Sequence, residues 1–306
     1  MSTTSVSAIT ASLTNQVKSK MITVLRAKLI LAQFAQEGMV DKGHNVIRFL
    51  QVPDLSASSS TLADDGVNPT AEALSLTTVD LTPSEIGRLV SVTRRAQNIS
   101  PFSIVEKASN ILAFDGQRRI DTIIWTAAVA SGTVRYSGAA NSRATVTANA
   151  AGTDIRKWGI KLRSLNAMPW EGNTWVAATH PFVTGDLQGE TAASGWQDFN
   201  KYATPEGLKN GETGKMYGTR FVESTQATIF AGAGMGSVDV YATLIFGQEA
   251  VGVGSIQNLT PTFVPATPDH ADGLGRTALI GYYMDTGAVA LQAAAYSRFE
   301  SAATAL

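Results

Sequence analysis

The chain of 306 residues is long enough to bury one large core or two modest ones. Charged residues make up 16% of it and apolar residues 44%, and 24 Lys+Arg against 25 Asp+Glu leave a net charge of −1, which excludes adhesion to nucleic acid or membrane driven by net charge. Cysteine is absent, which excludes disulfides, thiolate nucleophiles and cysteine-ligated metals. The opening residues Met1 to Ser5 lack the basic and apolar regions of a secretory leader, and no apolar run approaches the ~20 residues of a membrane span. The chain is therefore expected to be made in the cytoplasm and to stand on packing alone.

From Leu13 to Phe34 apolar residues recur with a mostly helical period that stops at Gly38, predicting an amphipathic N-terminal helix. Asn45 to Val52 is β-branched and aromatic and ends at Pro53, as a strand would, and its expected partner is Leu89 to Thr93. The Ser-, Thr- and acid-rich stretch between them is far longer than the usual ~2–5 residues of a hairpin turn, so a protruding two-stranded arm is expected. Ser100 and Pro101 read as cap and first turn of a helix reaching Ala130, ~45 Å long at 1.5 Å per residue, with Asp115-Gly116 interrupting its stripe.

Short strands and turns are expected from Ser131 to Gly152, then a helix from Asp154 to Asn166 capped by Thr153. Trp175 to Thr179 reads as a buried strand, and His180-Pro181 opens a short helix. Met216 to Ser224 and Val238 to Phe246 are further strands. Asn258 to Arg276, with three prolines, reads as an irregular loop. Thr277 to Met284 and Ala288 to Phe299, joined at Asp285-Thr286-Gly287, read as a C-terminal hairpin. The whole is an α+β pattern.

Charge is distributed in alternating blocks. Up to Arg48 there are six basic residues (Lys18, Lys20, Arg26, Lys28, Lys42, Arg48) against Glu37 and Asp41. Asp54 to Glu85 then holds six carboxylates, among them Asp64, Asp65 and Glu72, and no Lys or Arg. Ile86 to Ile120 reverses the sign, with Arg88, Arg94, Arg95, Lys107, Arg118 and Arg119 against Glu106 and Asp115. Such blocks can be solvated faces or can pair within a subunit or between copies, where complementarity sets partner and register.

Candidate chemistry is sparse. Gly211 to Met216 departs from a phosphate loop twice, with Lys209 where the first glycine belongs and Met216 where magnesium needs Ser or Thr. Gly232, Gly234 and Gly236 lack dinucleotide spacing. His44, His180 and His270 lie far apart in the sequence, and His180 reads as a structural hydrogen-bonding residue. Asp269 to Asp272 has only a faint likeness to a calcium loop, lacking its alternating acids and terminal Glu. No catalytic residue, cofactor or metal is assigned, which favours a structural protein.

Five stretches carry a resemblance: LADDGVNPTAEALSLTTVDLTPSEIGRLVSVTRRAQ (Leu62 to Gln97), ATHPFVTGDLQ (Ala178 to Gln188), GWQDFNKYA (Gly195 to Ala203), NGETGKMYGTRFVES (Asn210 to Ser224) and YATLIFGQEAVG (Tyr241 to Gly252). With the order of elements, they make the chain resemble the major capsid proteins of tailed bacteriophages, of Hong Kong 97-type fold. The resemblance implies an N-terminal arm (1–44), an extended loop (45–97), a peripheral domain with a spine helix (98–149), an axial domain (150–252) and a peripheral loop with C-terminal strands (253–306). It implies self-assembly into pentamers and hexamers of an icosahedral shell around double-stranded DNA, in the virion, after assembly in the host bacterial cytoplasm. Scaffolding, portal and cement proteins would be partners.

On this reading Asp64, Asp65 and Glu72 meet Arg94, Arg95, Arg118 or Arg119 of a neighbour, and Lys18, Lys20, Arg26 and Lys28 lie near packaged DNA. Some family members join subunits covalently through a lysine of the extended loop, a route closed here because Asp54 to Glu85 has none. Two rivals are an encapsulin-like shell enclosing protein cargo and a soluble enzyme of small oligomeric state with a polar site near Gly211 to Lys215.

Overall fold

The fold, obtained as a computed structural model, is described for residues 29–39, 44–55, 73–100, 103–190, 212–268 and 272–304. Most of the expected N-terminal helix falls on residues 13–28, outside these. Its described end is a single 3-10 turn, Leu31–Phe34, after which Ala35 is extended and strand β1 (Gln36–Met39) begins. Strand β2 (Ile47–Gln51) pairs antiparallel with β3 (Thr77–Leu81) and not with residues 89–93, because Ile47 opposite Leu81 buries an apolar pair and Arg48 opposite Asp80 forms an ion pair. Past Pro83 the chain changes sheets, and β4 (Ser84–Thr93) pairs elsewhere.

Helix α1 (Arg94–Ile99) starts at Thr93, whose Oγ1 accepts from the Ala96 amide at 3.3 Å, so Ser100 ends this helix and does not begin the next. The long helix α2 (Ile104–Ala130) is capped instead by Ser103, which accepts from the Glu106 amide at 3.3 Å, and Pro101 lies outside the described residues. Gly116 does not interrupt α2. It is buried, and a Cβ there would collide with Leu259 Cδ1, so its ~1 kcal/mol helix penalty is offset by close packing.

Strand β5 (Thr133–Tyr136) and a 3-10 turn (Arg143–Thr145) fill the expected strand-and-turn region. Helix α3 (Gly152–Ser164) begins one residue before Thr153, with Ala151 as N-cap and no side-chain cap, and buries Ile155, Trp158 and Leu162. Strand β6 (Trp175–Thr179) is buried throughout, and α4 (Pro181–Gly189) opens on His180, whose Nδ1 accepts from the Phe182 amide at 3.3 Å. The segment expected as one strand from Met216 is a hairpin, β7 (Glu212–Met216) and β8 (Thr219–Glu223), turning through Tyr217 and Gly218 at positive φ. The glycines 232–236 form the turn between β9 (Ile229–Phe230) and β10 (Val240–Phe246).

Strand β11 (Val251–Val264) covers the first part of the expected Asn258–Arg276 loop. Its neighbour β1 reaches only Ser255, so Pro261 sits where β11 has one free edge and its missing N–H breaks no pairing on that side. The expected C-terminal hairpin is absent: β12 (Thr277–Ala290) runs straight through Asp285-Thr286-Gly287, and β13 (Tyr296–Ser301) joins a different sheet. Register shifts in β11 between Ser255 and Thr260 accommodate the long pairing without a turn in β12.

Among the described residues one sheet has the order β1-β11-β12-β4, a larger one β5-β13-β10-β6-β8-β7 with β9 on β10, and β2-β3 stand apart. The larger sheet is packed on both faces, as the alternation in β10 shows. Tyr241 and Ile245 face α3 and α4 with Trp158 and Leu187, while Ala242, Leu244 and Phe246 face Ile124, Trp125 and Ala128 of α2. The first half of α2 packs Leu112 on Val92, Ile280 and Met284 of the smaller sheet. One helix therefore spans and joins both sheets.

Candidate assembly surfaces

The β2-β3 hairpin has a buried root and an apolar exposed end. Ile47 and Leu81 are buried, whereas Leu50, Val52, Leu55, Leu74 and Leu76 are 54–70% exposed. Arg48 and Asp80 brace the two strands through a bidentate ion pair of 2.8 and 2.9 Å. Hydrogen bonding by Arg48 holds the Asp80 carboxyl below the usual carboxylate range. Isolated exposed apolar residues are ordinary, but five gathered on one projection form a contact surface.

The root is seated on glycines. Cβ atoms built on Gly38 of β1 or Gly252 of β11 would come within 2.8–2.9 Å of Phe49, and one on Gly254 would collide with Ile47 Cδ1. Strand glycines often mark such close approaches, so Val251-Gly252-Val253-Gly254 was the sequence signal for this seat, one that pattern reading passed over. Beside the hairpin, Arg48, Leu50, Met168, Glu249 and Gln292 line a cleft of about 530 Å³.

The predicted basic partners differ from one another. Arg118 Nη2 lies 2.7 Å from Asp115 Oδ1, which also receives Arg88 Nη1 at 2.8 Å, so Arg118 is engaged within the subunit. Burial pushes the Asp115 carboxyl up, and hydrogen bonds from Arg88, Tyr282 and Arg118 outweigh it and hold the group below its ordinary value. Arg94 and Arg95 are exposed on α1 and Arg119 on α2, and none makes an ion pair among the described residues. The Arg94 amide donates to the Arg276 carbonyl at 2.7 Å, tying α1 to the start of β12. Asp64, Asp65, Glu72, Lys18, Lys20, Arg26 and Lys28 lie outside the described residues.

The weak chemical candidates are accounted for by structure where they are described. Met216 of the phosphate-loop-like segment is buried in β7, and burial lowers the His180 pKa while its ring stacks near Phe182 and Tyr241. His44 is exposed, and His270 with Asp269 lies outside the described residues. Asp272 Oδ2 accepts from the amides of Arg276 at 2.6 Å and Thr277 at 2.8 Å, a local turn. Among the described residues no three His, Asp or Glu side chains gather as a metal site would need, and no helix is long and apolar enough to cross a membrane.

Two buried carboxylates gave no local sequence signal. Glu300 is fully buried and receives Arg143 through two 2.8 Å bonds, with Arg298 also 2.8 Å away. Asp121, fully buried on α2, accepts the Leu31 amide at 2.9 Å.

No family model and no curated sequence matches the chain. Solved structures do. The capsid of Ralstonia phage GP4 superimposes with a TM-score of 0.75 at 14% identity, covering 94% of each chain. The capsid of cyanophage P-SCSP1u gives 0.70 at 15% identity over 94% of this chain and 92% of that one. The capsid of Helicobacter pylori bacteriophage KHP30 gives 0.70 at 11% identity over 99% of both. The chain has a phage capsid fold. Within this capsid fold, of the Hong Kong 97 type expected from the sequence, β2-β3 is the extended loop and α2 the spine helix.

Proposed function

We propose that the chain is a major capsid protein that assembles into pentamers and hexamers of an icosahedral shell around the double-stranded DNA of a tailed phage. The observation that carries this reading is end-to-end agreement with capsid subunits, 94% of each chain for the Ralstonia phage protein. The exposed leucines of the extended loop support it, because a seated, rigid projection loses little conformational entropy on docking. The role is structural, with no catalytic step.

The domain limits implied by the resemblance, 1–44, 45–97, 98–149, 150–252 and 253–306, belong to this proposal. So do the contacts. Asp64, Asp65 and Glu72 pair with Arg94, Arg95 and Arg119 of a neighbouring copy, Arg118 being the weakest candidate because Asp115 already holds it. Each exposed pair is worth only ~0–1 kcal/mol, and repetition over the shell multiplies the effect. Lys18, Lys20, Arg26 and Lys28 contact packaged DNA non-specifically and in a salt-sensitive way. Scaffolding, portal and cement proteins complete the particle, which is built in the bacterial cytoplasm and ends in the virion.

Electron microscopy with light scattering on the purified protein tests the reading. Closed shells or rings of five and six support it, and nuclease-protected DNA in particles from infected cells separates a genome container from a protein-cargo shell. A uniform monomer or dimer that stays so with scaffold added rules it out.

A further inference from the structure

The 3-10 turn Leu31–Phe34 has no capping side chain of its own at Ile30. Its first amides are served instead by Asp121, 90 residues away in the middle of α2: Leu31 donates to Oδ1 at 2.9 Å, and the Ile30 and Ala32 amides also act on this carboxylate. The other oxygen, Oδ2, is buried without a hydrogen-bond partner. The surroundings are apolar, with Leu31, Ile124, Trp125 and Phe34 packed about the contact.

Charged groups near the carboxylate are few. On α2, Arg118 and Arg119 lie a turn before and are exposed, Arg118 being paired with Asp115. On the arm side, exposed Glu37 of β1 lines the neighbouring cleft with Ala32 and Ile120. The sheet strands packed there contribute Val251, Leu244 and Tyr296, none of them charged at neutral pH. Asp121 forms no ion pair among the described residues.

We propose that Asp121 is a proton-operated clasp: segment 29–39 docks on α2 more tightly when Asp121 carries a proton and loosens when it ionises. A buried carboxylate with one unpartnered oxygen and no counter-ion is easier to keep neutral than charged. The protonated group still offers an oxygen to the Leu31 amide. Desolvation raises its pKa against the opposing pull of the backbone amides, so the docked state binds the proton more strongly than the undocked one. Docking is then fully supported below the ordinary Asp value of ~3.9 and weakens as pH rises through the docked value. The consequence reaches the extended loop, because β1 begins two residues after the turn and its Gly38 lies under Ile47 and Phe49.

Hydrogen exchange on the full chain between pH 4 and 8, corrected for intrinsic exchange, tests the clasp on the peptide spanning 29–39, with β10 as internal reference. In the wild-type chain its protection is expected to fall, relative to β10, by roughly tenfold for each unit by which the docked pKa exceeds the ordinary one. Asp121→Asn keeps an acceptor and cannot ionise, so its protection should stay level across the range. Equal pH responses in wild type and variant would overturn the clasp. A wild-type profile that does not change with pH would overturn it without need of the variant.

Discussion

Tyr282 donates its hydroxyl to Asp115 Oδ2 at 2.9 Å, joining the central strand β12 to the spine helix across 167 positions of sequence. The other carboxylate oxygen takes Arg88 of β4 and Arg118 of α2, so one side chain ties three elements. Tyr282→Phe removes the tie and leaves the ring. A loss of ~1–2 kcal/mol in unfolding free energy is expected by denaturant titration.

The same carboxylate gives a pH dependence of known sign. Because Asp115 is held below its ordinary value, its contribution is present above ~3.9 and lost as pH falls through the folded value. Asp115→Asn should be less stable than wild type at pH 7 and should lose less than wild type between pH 5 and 3. Thermal unfolding across that range measures both.

Gly254→Ala places a methyl group against Ile47 Cδ1 and within 3.1 Å of Leu81 Cδ2. Overpacking of this kind costs ~1–3 kcal/mol and should loosen the extended loop, raising proteolysis within it. Ile47→Val removes the colliding atom. The double variant should recover part of the loss, and a strictly additive cycle would mean that the two do not share the seat.

Arg143→Ala deprives fully buried Glu300 of two hydrogen bonds and uncovers the Phe230 ring, over which the guanidinium lies at 3.4 Å. The cost should stay below the ~3–5 kcal/mol of an orphaned buried charge, because Arg298 remains beside the carboxylate. Arg143→Ala with Glu300→Gln should be milder than Arg143→Ala alone, a comparison read from melting temperatures.

Leu50→Ser with Leu76→Ser should leave the subunit's unfolding free energy within ~0.5 kcal/mol, since both side chains are exposed. Particle yield by light scattering should fall. Undiminished assembly would remove the loop's apolar end from the proposed interface.

The spine helix was legible because a 27-residue element repeats its apolar positions over many turns, though Gly116 looked like a break. Its burial against Leu259, supplied by a strand far along the chain, reversed that reading. Strand existence was legible as well, and strand partners were not. Residues 77–81 and 84–93 both read as extended, and only the Thr82-Pro83 step separates the loop's own strand from one belonging to another sheet. Asp285-Thr286-Gly287 has turn chemistry, yet β12 continues because β11 and β4 pair it on both sides.

By itself the sequence determined the periodic elements, the missing thiol chemistry, the charge blocks and the resemblance that led to the capsid fold, all of them properties of neighbouring residues or of composition. The tertiary structure decided which strands pair, why Gly254 must be glycine, and where Asp121 and Glu300 find their partners. Those outcomes depend on contacts between groups 90 to 200 residues apart, and local propensity carries no information about what arrives from the rest of the chain.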